Sequence, residues 1–168
     1  MHDLYIAATS FGAALLVGAA LHDVAARTVP NRLAVCVALA GVAAQLAKGD
    51  LLIASAVALG VFVLAALAWR RGYMGGGDVK LLGASALLVP TATVPVMIAA
   101  IALSGGVLAL FYLVARRRLP RPRGVRPSGL VRRVLRAERW RLGRGGPMPY
   151  AVAIACGVLF VLSQGAKP

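Results

Sequence analysis

The chain has 168 residues, 60% of them hydrophobic, and a mean hydropathy of +0.82. This excludes an ordinary soluble domain, because the apolar residues come in runs of about the length that crosses a bilayer. The net charge of +14 would suggest nucleic-acid binding in a soluble protein, but cytoplasmic loops of membrane proteins also collect Lys and Arg. The basic segment has one aromatic residue, Trp140, and hence no stacking platform for bases. Composition predicts a polytopic membrane protein without a nucleic-acid partner.

Six apolar runs follow one another along the chain. They occupy residues 4–21, 33–47, 51–69, 79–89, 94–115 and 147–163. We expect an all-α fold with six transmembrane helices in one membrane-embedded domain, residues 1–168. The fourth run has only eleven residues before Pro90, and at 1.5 Å per residue these cover roughly 16 Å, about half of the hydrocarbon core. A glycine-rich segment therefore precedes a short fourth helix.

The basic residues are distributed unevenly between the loops. If residue 1 lies outside, 17 of the 19 lysines and arginines fall on the inner side, twelve of them between Arg116 and Arg144. Positively charged loops face the cytoplasm, so both termini are predicted outside and residues 116–146 form a basic cytoplasmic loop. Asp23, at the inner end of the first run, and Asp78, at the inner start of the fourth, then lie at the same membrane level.

Asp23 and Asp78 are the candidate catalytic pair. An ionisable group next to lipid is costly and indicates a functional site when it has a partner. Two carboxylates close together share a proton, so that one can activate water while the other donates to the carbonyl under attack. Glycines at 75–77 allow positive φ and close backbone approach before Asp78. Two structural alternatives remain: Asp23 could pair with Arg27 at i,i+4, and Asp78 could be the N-cap of the fourth helix.

Three segments carry a resemblance to a known family. Residues 75–81 (GGGDVKL) resemble the GxGD signature of intramembrane aspartyl proteases in the form used by prepilin peptidases. Residues 23–33 (DVAARTVPNRL) are similar to the segment around the first catalytic aspartate of those enzymes, and residues 149–155 (PYAVAIA) resemble the start of the last helix in the small members that serve Flp or Tad type pili. The combination of GxGD with an Asp-x6-Pro-Asn segment upstream is specific.

The resemblance implies a peptidase of the bacterial inner membrane that cuts the leader from pilin precursors, after a glycine and at the cytoplasmic face. Asp23 and Asp78 match the catalytic aspartates. Larger relatives also methylate the new N-terminus and carry paired CxxC motifs. The two cysteines here, Cys36 and Cys156, lie in apolar runs without that spacing, so we expect no methyltransferase activity, no metal and no other cofactor. Residues expected to bind substrate or to support the site are Gly75, Gly76, Gly77, Lys80, Pro30, Asn31, Pro149 and Tyr150.

Other interpretations apply to the remaining polar residues. Apolar and basic residues alternate at helical spacing after Leu130, which predicts an amphipathic helix on anionic lipid; a substrate-docking surface is the alternative. His22, beside Asp23, raises the alternative of a metal site, although a metal needs further ligands. The rival to the whole interpretation is a non-enzymatic protein, either a proton-coupled transporter subunit or a membrane scaffold.

Overall fold

The computed structural model describes residues 1–118, 129–144, 146 and 148–165, and these contain helices but no strands. The all-α prediction is confirmed for this part of the chain. Residues 119–128 and 145, which belong to the predicted basic loop, lie outside it. The helices are α1 (His2–Ala26), α2 (Asn31–Lys48), α3 (Leu51–Arg70), α4 (Gly76–Ala86), α5 (Val94–Arg118), α6 (Leu130–Arg144) and α7 (Tyr150–Gly165), with a 3₁₀ turn at Thr91–Thr93.

Three helical segments are long and apolar enough to cross a membrane: α1, α3 and Thr91–Arg118. The apolar α7 is shorter. Large apolar side chains also cover the outside of the bundle, including Leu52 at 87% exposed and Leu103 at 73%. These features fit a membrane protein, whose lipid-facing surface is apolar. The expected six spans and the placement of both termini stay predictions.

The bundle is built around α4 and α7. Helix α1 packs against α2 and α7, α5 packs along α7, and α4 lies against α2, α3 and α7. Leu16, Leu81, Met97 and Ile154 contribute fully buried side chains to the core. Because α4 and α7 begin at the same end of the bundle as α1 ends, residues from three helices meet there.

The short fourth helix is confirmed, three residues earlier than predicted: it ends at Ala86 and not at residue 89. Pro90 cannot donate a backbone hydrogen bond and disfavours a helical residue before it. The fully buried Gln45 donates through Nε2 to the carbonyls of Leu87 (2.8 Å) and Val89 (3.0 Å). These bonds satisfy backbone groups that the end of a helix leaves without partners, so Gln45 stabilises the break between α4 and α5.

Helix α1 is longer than its apolar run, residues 4–21, and includes Asp23. The helix ends at Ala26, and Arg27 adopts a left-handed conformation (φ 57°, ψ 33°) while its N–H bonds to the Asp23 carbonyl at 2.8 Å. Pro30 is extended (φ −60°, ψ 136°) and precedes α2. Asp23 therefore lies in the last turn of α1, and the helix fixes the backbone from which its side chain projects.

Candidate active site

Asp23 is buried, with 6% of the residue exposed. Its Oδ2 accepts a hydrogen bond of 3.3 Å from the backbone N–H of Ala151, in the first turn of α7. The first N–H groups of a helix have no partner within it, and they favour negative charge. The fully buried Pro149 immediately precedes this turn. Asp23 thus caps the N-terminus of α7, and the N–H of Ala151 stabilises the Asp23 carboxylate.

Asp78 lies in the first turn of α4, as the third residue of the helix. The N-cap is Gly75, which is extended (φ −74°, ψ 145°), so the alternative that Asp78 is the N-cap is wrong. Its carboxylate instead turns back toward the backbone N–H of Gly75, as the N3 residue of a capping box does. The carboxylate is half-buried and interacts with both the charge of Asp23 and the backbone N–H of Gly75.

The fold brings the two carboxylates close enough to interact electrostatically, although they lie 55 positions apart in sequence. Successive residues of α7 contact both of them: Ala151 binds Asp23, and Tyr150 interacts electrostatically with Asp78. The Tyr150 ring packs on Gly105 of α5, where an added Cβ would lie 3.0 Å from Cε2 of the tyrosine. The predicted pair and the predicted Pro-Tyr segment therefore occupy one site.

The backbone of each of the three glycines before Asp78 lies close to a different group, which a Cβ atom would crowd. A Cβ on Gly75 would lie 2.9 Å from Oδ2 of Asp78, one on Gly76 would lie 3.3 Å from Nε1 of Trp69, and one on Gly77 would lie 3.1 Å from Cβ of Val29. None of the three has positive φ, and Gly72 (φ 78°) makes the preceding turn instead. Of the two properties that glycine allows, the three residues therefore use close approach and not positive φ.

Lys80, two residues after Asp78, forms a hydrogen-bonded pair with Asn31 of α2. Nζ of Lys80 donates to Oδ1 of Asn31 at 2.8 Å. Pro30, immediately before Asn31, is the N-cap of α2. Both paired residues border an open groove of about 570 Å³ between α2, α3 and α4. Most of the other residues that line the groove are small or apolar: Ala34, Val35, Ala38, Ser55, Ala58, Leu59, Phe62, Gly83, Ala84 and Leu87.

Arg27 contacts α5 and α6, and the alternative of an Asp23–Arg27 pair is not formed. Nη2 of Arg27 donates to the hydroxyl of Tyr112 at 3.1 Å and to the carboxylate of Glu138, with which it makes an ion pair. Tyr112 also donates to Glu138. Sequence reasoning missed this cluster, whose one visible signal was that Glu138 is the single glutamate of the chain.

Helix α6 confirms the predicted helix in the basic loop and is anchored to α1. Arg141 donates from its guanidinium to the carbonyls of Val24 (3.0 Å) and Ala25 (3.1 Å). The last carbonyls of a helix lack internal partners and attract cations. An arginine of α6 thus caps the helix that carries Asp23.

The metal alternative at His22 finds no support in the described residues. The imidazole Nδ1 donates to the carbonyl of Thr28 at 2.7 Å. No group of three or more His, Cys, Asp or Glu side chains that could hold a metal ion occurs in the ranges given above.

Fold and site indicate a class: a helical protein whose long apolar helices fit a membrane protein, with two aspartates that interact electrostatically. The model of the type IV leader peptidase family matches residues 10–110, which include Asp23, Asp78 and the three glycines. More than half of the chain is matched, and the chain belongs to this family. The resemblance to the prepilin peptidase family is confirmed, whereas the likeness of residues 149–155 to the Flp or Tad members lies outside the matched range and stays a prediction. Membership implies a peptidase, of the aspartic type in this family, with pilin precursors as substrates. No curated protein and no solved structure matches the chain.

Proposed function

We propose that this protein is an aspartic endopeptidase that removes the leader from type IV pilin precursors, with Asp23 and Asp78 as its catalytic dyad. The observation that carries the proposal is the electrostatic interaction between two carboxylates from α1 and α4, one of which is bound at the N-terminus of α7. One proton shared by the pair supplies both a base and an acid.

In the proposed reaction the ionised carboxylate accepts a proton from water while the water oxygen attacks the peptide carbonyl carbon. The protonated carboxyl donates its proton to the carbonyl oxygen, which gives a tetrahedral diol. The C–N bond then breaks as the nitrogen takes a proton from one carboxyl and one diol hydroxyl gives its proton to the other carboxylate, so that the dyad again holds one proton and the new carboxyl and amino termini leave. The N–H of Ala151 stabilises Asp23 in the stages in which this carboxylate is ionised.

We propose a Flp-type pilin precursor as the substrate, cut after the glycine of its leader and not methylated afterwards. We propose that its apolar helix binds in the groove between α2, α3 and α4, because Lys80, which lines this groove, lies two residues after Asp78. Ala34, Ala58 and Gly83 line it, and small residues let a second helix approach closely.

We also propose that the protein lies in the bacterial inner membrane as a single domain with six membrane helices, α4 crossing only part of the bilayer. Both termini are then outside and the aspartates face the cytoplasm. Helix α6 is proposed to contact anionic lipid: Val131 and Leu135 are 68% and 58% exposed, and arginines occupy the other positions. Such a helix lies in the interface plane.

Coexpression with a Flp-type precursor tests the dyad. Asp23→Asn and Asp78→Asn should each abolish leader removal, since an amide can neither accept the proton of water nor share one. Asp50→Asn is the matched control, because Asp50 is exposed and makes no side-chain capping bond at the start of α3. Cleavage by either dyad variant at wild-type protein level would remove that aspartate from the mechanism and favour the non-enzymatic transporter subunit or scaffold.

A further inference from the structure

The cluster of Arg27, Tyr112 and Glu138 lies one helical turn from Asp23. Arg27 is four residues after Asp23, the spacing at which opposite charges on a helix meet. The backbone N–H of Arg27 bonds to the Asp23 carbonyl, so the two residues are one turn apart here as well. The arginine nevertheless points to Glu138 of α6 and Tyr112 of α5.

Only one of the three guanidinium nitrogens of Arg27 has hydrogen-bond partners among the described residues. Nη2 makes both of its contacts, while Nε and Nη1 are buried and have no hydrogen-bond partner among the residues that the structure describes. A buried donor without a partner is costly. The guanidinium therefore gains if it turns toward another acceptor, and the Asp23 carboxylate is an acceptor within one turn.

Glu138 opposes that movement. Its ion pair with Arg27 is 11% and 14% exposed at the two side chains, so solvent screens it little, and Arg141 approaches the other carboxylate oxygen at 3.4 Å. The charges of Arg27 and Glu138 already act on Asp23 with opposite sign. The only glutamate of the chain thus pairs with an arginine whose charge acts on Asp23.

We propose that Glu138 is a positioning residue for the dyad: it holds the Arg27 guanidinium away from Asp23, so that Asp23 and Asp78 keep their shared proton. This inference rests on the proposed function. If Arg27 were released, it would pair with Asp23 and favour the ionised form of both carboxylates, and the site would lack the proton that the carbonyl oxygen must receive.

Charged and titratable groups of five helices interact around Asp23, Arg27 and Glu138. On α1 they are His22, Asp23 and Arg27; Asp78 belongs to α4, Tyr112 to α5, Glu138 and Arg141 to α6, and Tyr150 to α7.

The test compares wild type, Glu138→Gln, Arg27→Gln/Glu138→Gln, and Arg139→Gln as a control with an exposed arginine of α6. With precursor in membranes, Glu138→Gln should cut about tenfold more slowly at pH 7, and the alkaline limb of its pH profile should move down by about one to three units. The double variant should recover most of the rate and the original limb. Arg139→Gln should match wild type.

A second measurement does not depend on activity. Carbodiimides react with protonated carboxyl groups, so mass spectrometry of labelled protein reports the protonated fraction of Asp23 and Asp78. Labelling should fall in Glu138→Gln and return in the double variant. Unchanged labelling and cleavage in Glu138→Gln, or a double variant as impaired as the single one, would overturn the inference. If labelling responds as expected while wild type cuts no precursor, the positioning of Arg27 stands and the proposed function falls.

Discussion

At the scale of single residues, Asp78 has two neighbours that act on it in opposite directions. The N–H of Gly75 attracts its carboxylate, as in a capping box, and the negative charge of Asp23 repels it. A residue that only capped α4 would not need a second carboxylate beside it. A carboxylate that is both held by its own helix and repelled by a partner is well placed to bind a shared proton.

Gly75→Ala tests how closely the backbone must pass Asp78. The new methyl group would lie 2.9 Å from Oδ2, so the carboxylate must move. We expect leader removal to fall about a hundredfold, the loss that a displacement of about 1 Å can cause, with little change in protein level because the displaced group is a side-chain end. The measurement is the rate of precursor cleavage in membranes.

Gly60→Ala is the matched control for that experiment, because a Cβ at Gly60 meets nothing within 4 Å. It should retain the wild-type rate. If Gly75→Ala also retained the wild-type rate, cleavage would tolerate a displaced Asp78 carboxylate. The geometry proposed for the site would then be wrong.

The residues of the site differ in how far the sequence could predict them. Asp23 and Asp78 were predicted because charge distribution placed both at one membrane level and because local motifs surround each. The role of the glycines was only half predicted, since sequence shows that a Cβ is absent but not what it would touch. Glu138 was missed because its partner Arg27 lies 111 positions away, and no local pattern encodes such a contact.

At the scale of helices, the turns are where the sequence predicted best. Pro90 predicted the short α4, and the second apolar run, residues 33–47, lies within α2 (Asn31–Lys48). Helix ends were less accurate: α1 continues five residues past its apolar run to Ala26, because a helix can continue through polar residues when Arg27 and Arg141 satisfy its end. The groove between α2, α3 and α4 was not predicted. Hydropathy shows that a helix is apolar but not which neighbouring helices it packs against and from which it stays apart.

Ser55→Trp tests whether the groove receives the apolar helix of the precursor. Ser55 lines the groove and is exposed, so an indole there fills space without disturbing the core. Inserting a large side chain into a packed interface costs about 1–3 kcal/mol, and precursor cleavage should therefore fall roughly ten- to a hundredfold. Leu52→Trp, on the same helix at a position 87% exposed, should cut normally. Equal rates for the two variants would place the substrate elsewhere.

At the scale of the whole molecule, charge connects the fold to its orientation. Of the 19 basic residues, 17 fall on one side of the predicted topology, and this bias sets the orientation of membrane helices. The same side holds Asp23, Asp78 and α6. A precursor made in the cytoplasm would meet the dyad directly, whereas the opposite orientation would separate them by the bilayer.

Cysteine labelling tests this orientation. Two positions distinguish the sides: Lys48, at the end of α2, and Tyr73, between α3 and α4 and 80% exposed. In a background with Cys36 and Cys156 replaced by Ala, a membrane-impermeant maleimide should label Lys48→Cys in intact cells and Tyr73→Cys only in inverted vesicles. Detergent should make both reactive, which controls for a blocked thiol. Labelling of Tyr73→Cys in intact cells would put Asp78 on the outer side, and cleavage of cytoplasmic precursors by this site would then be impossible.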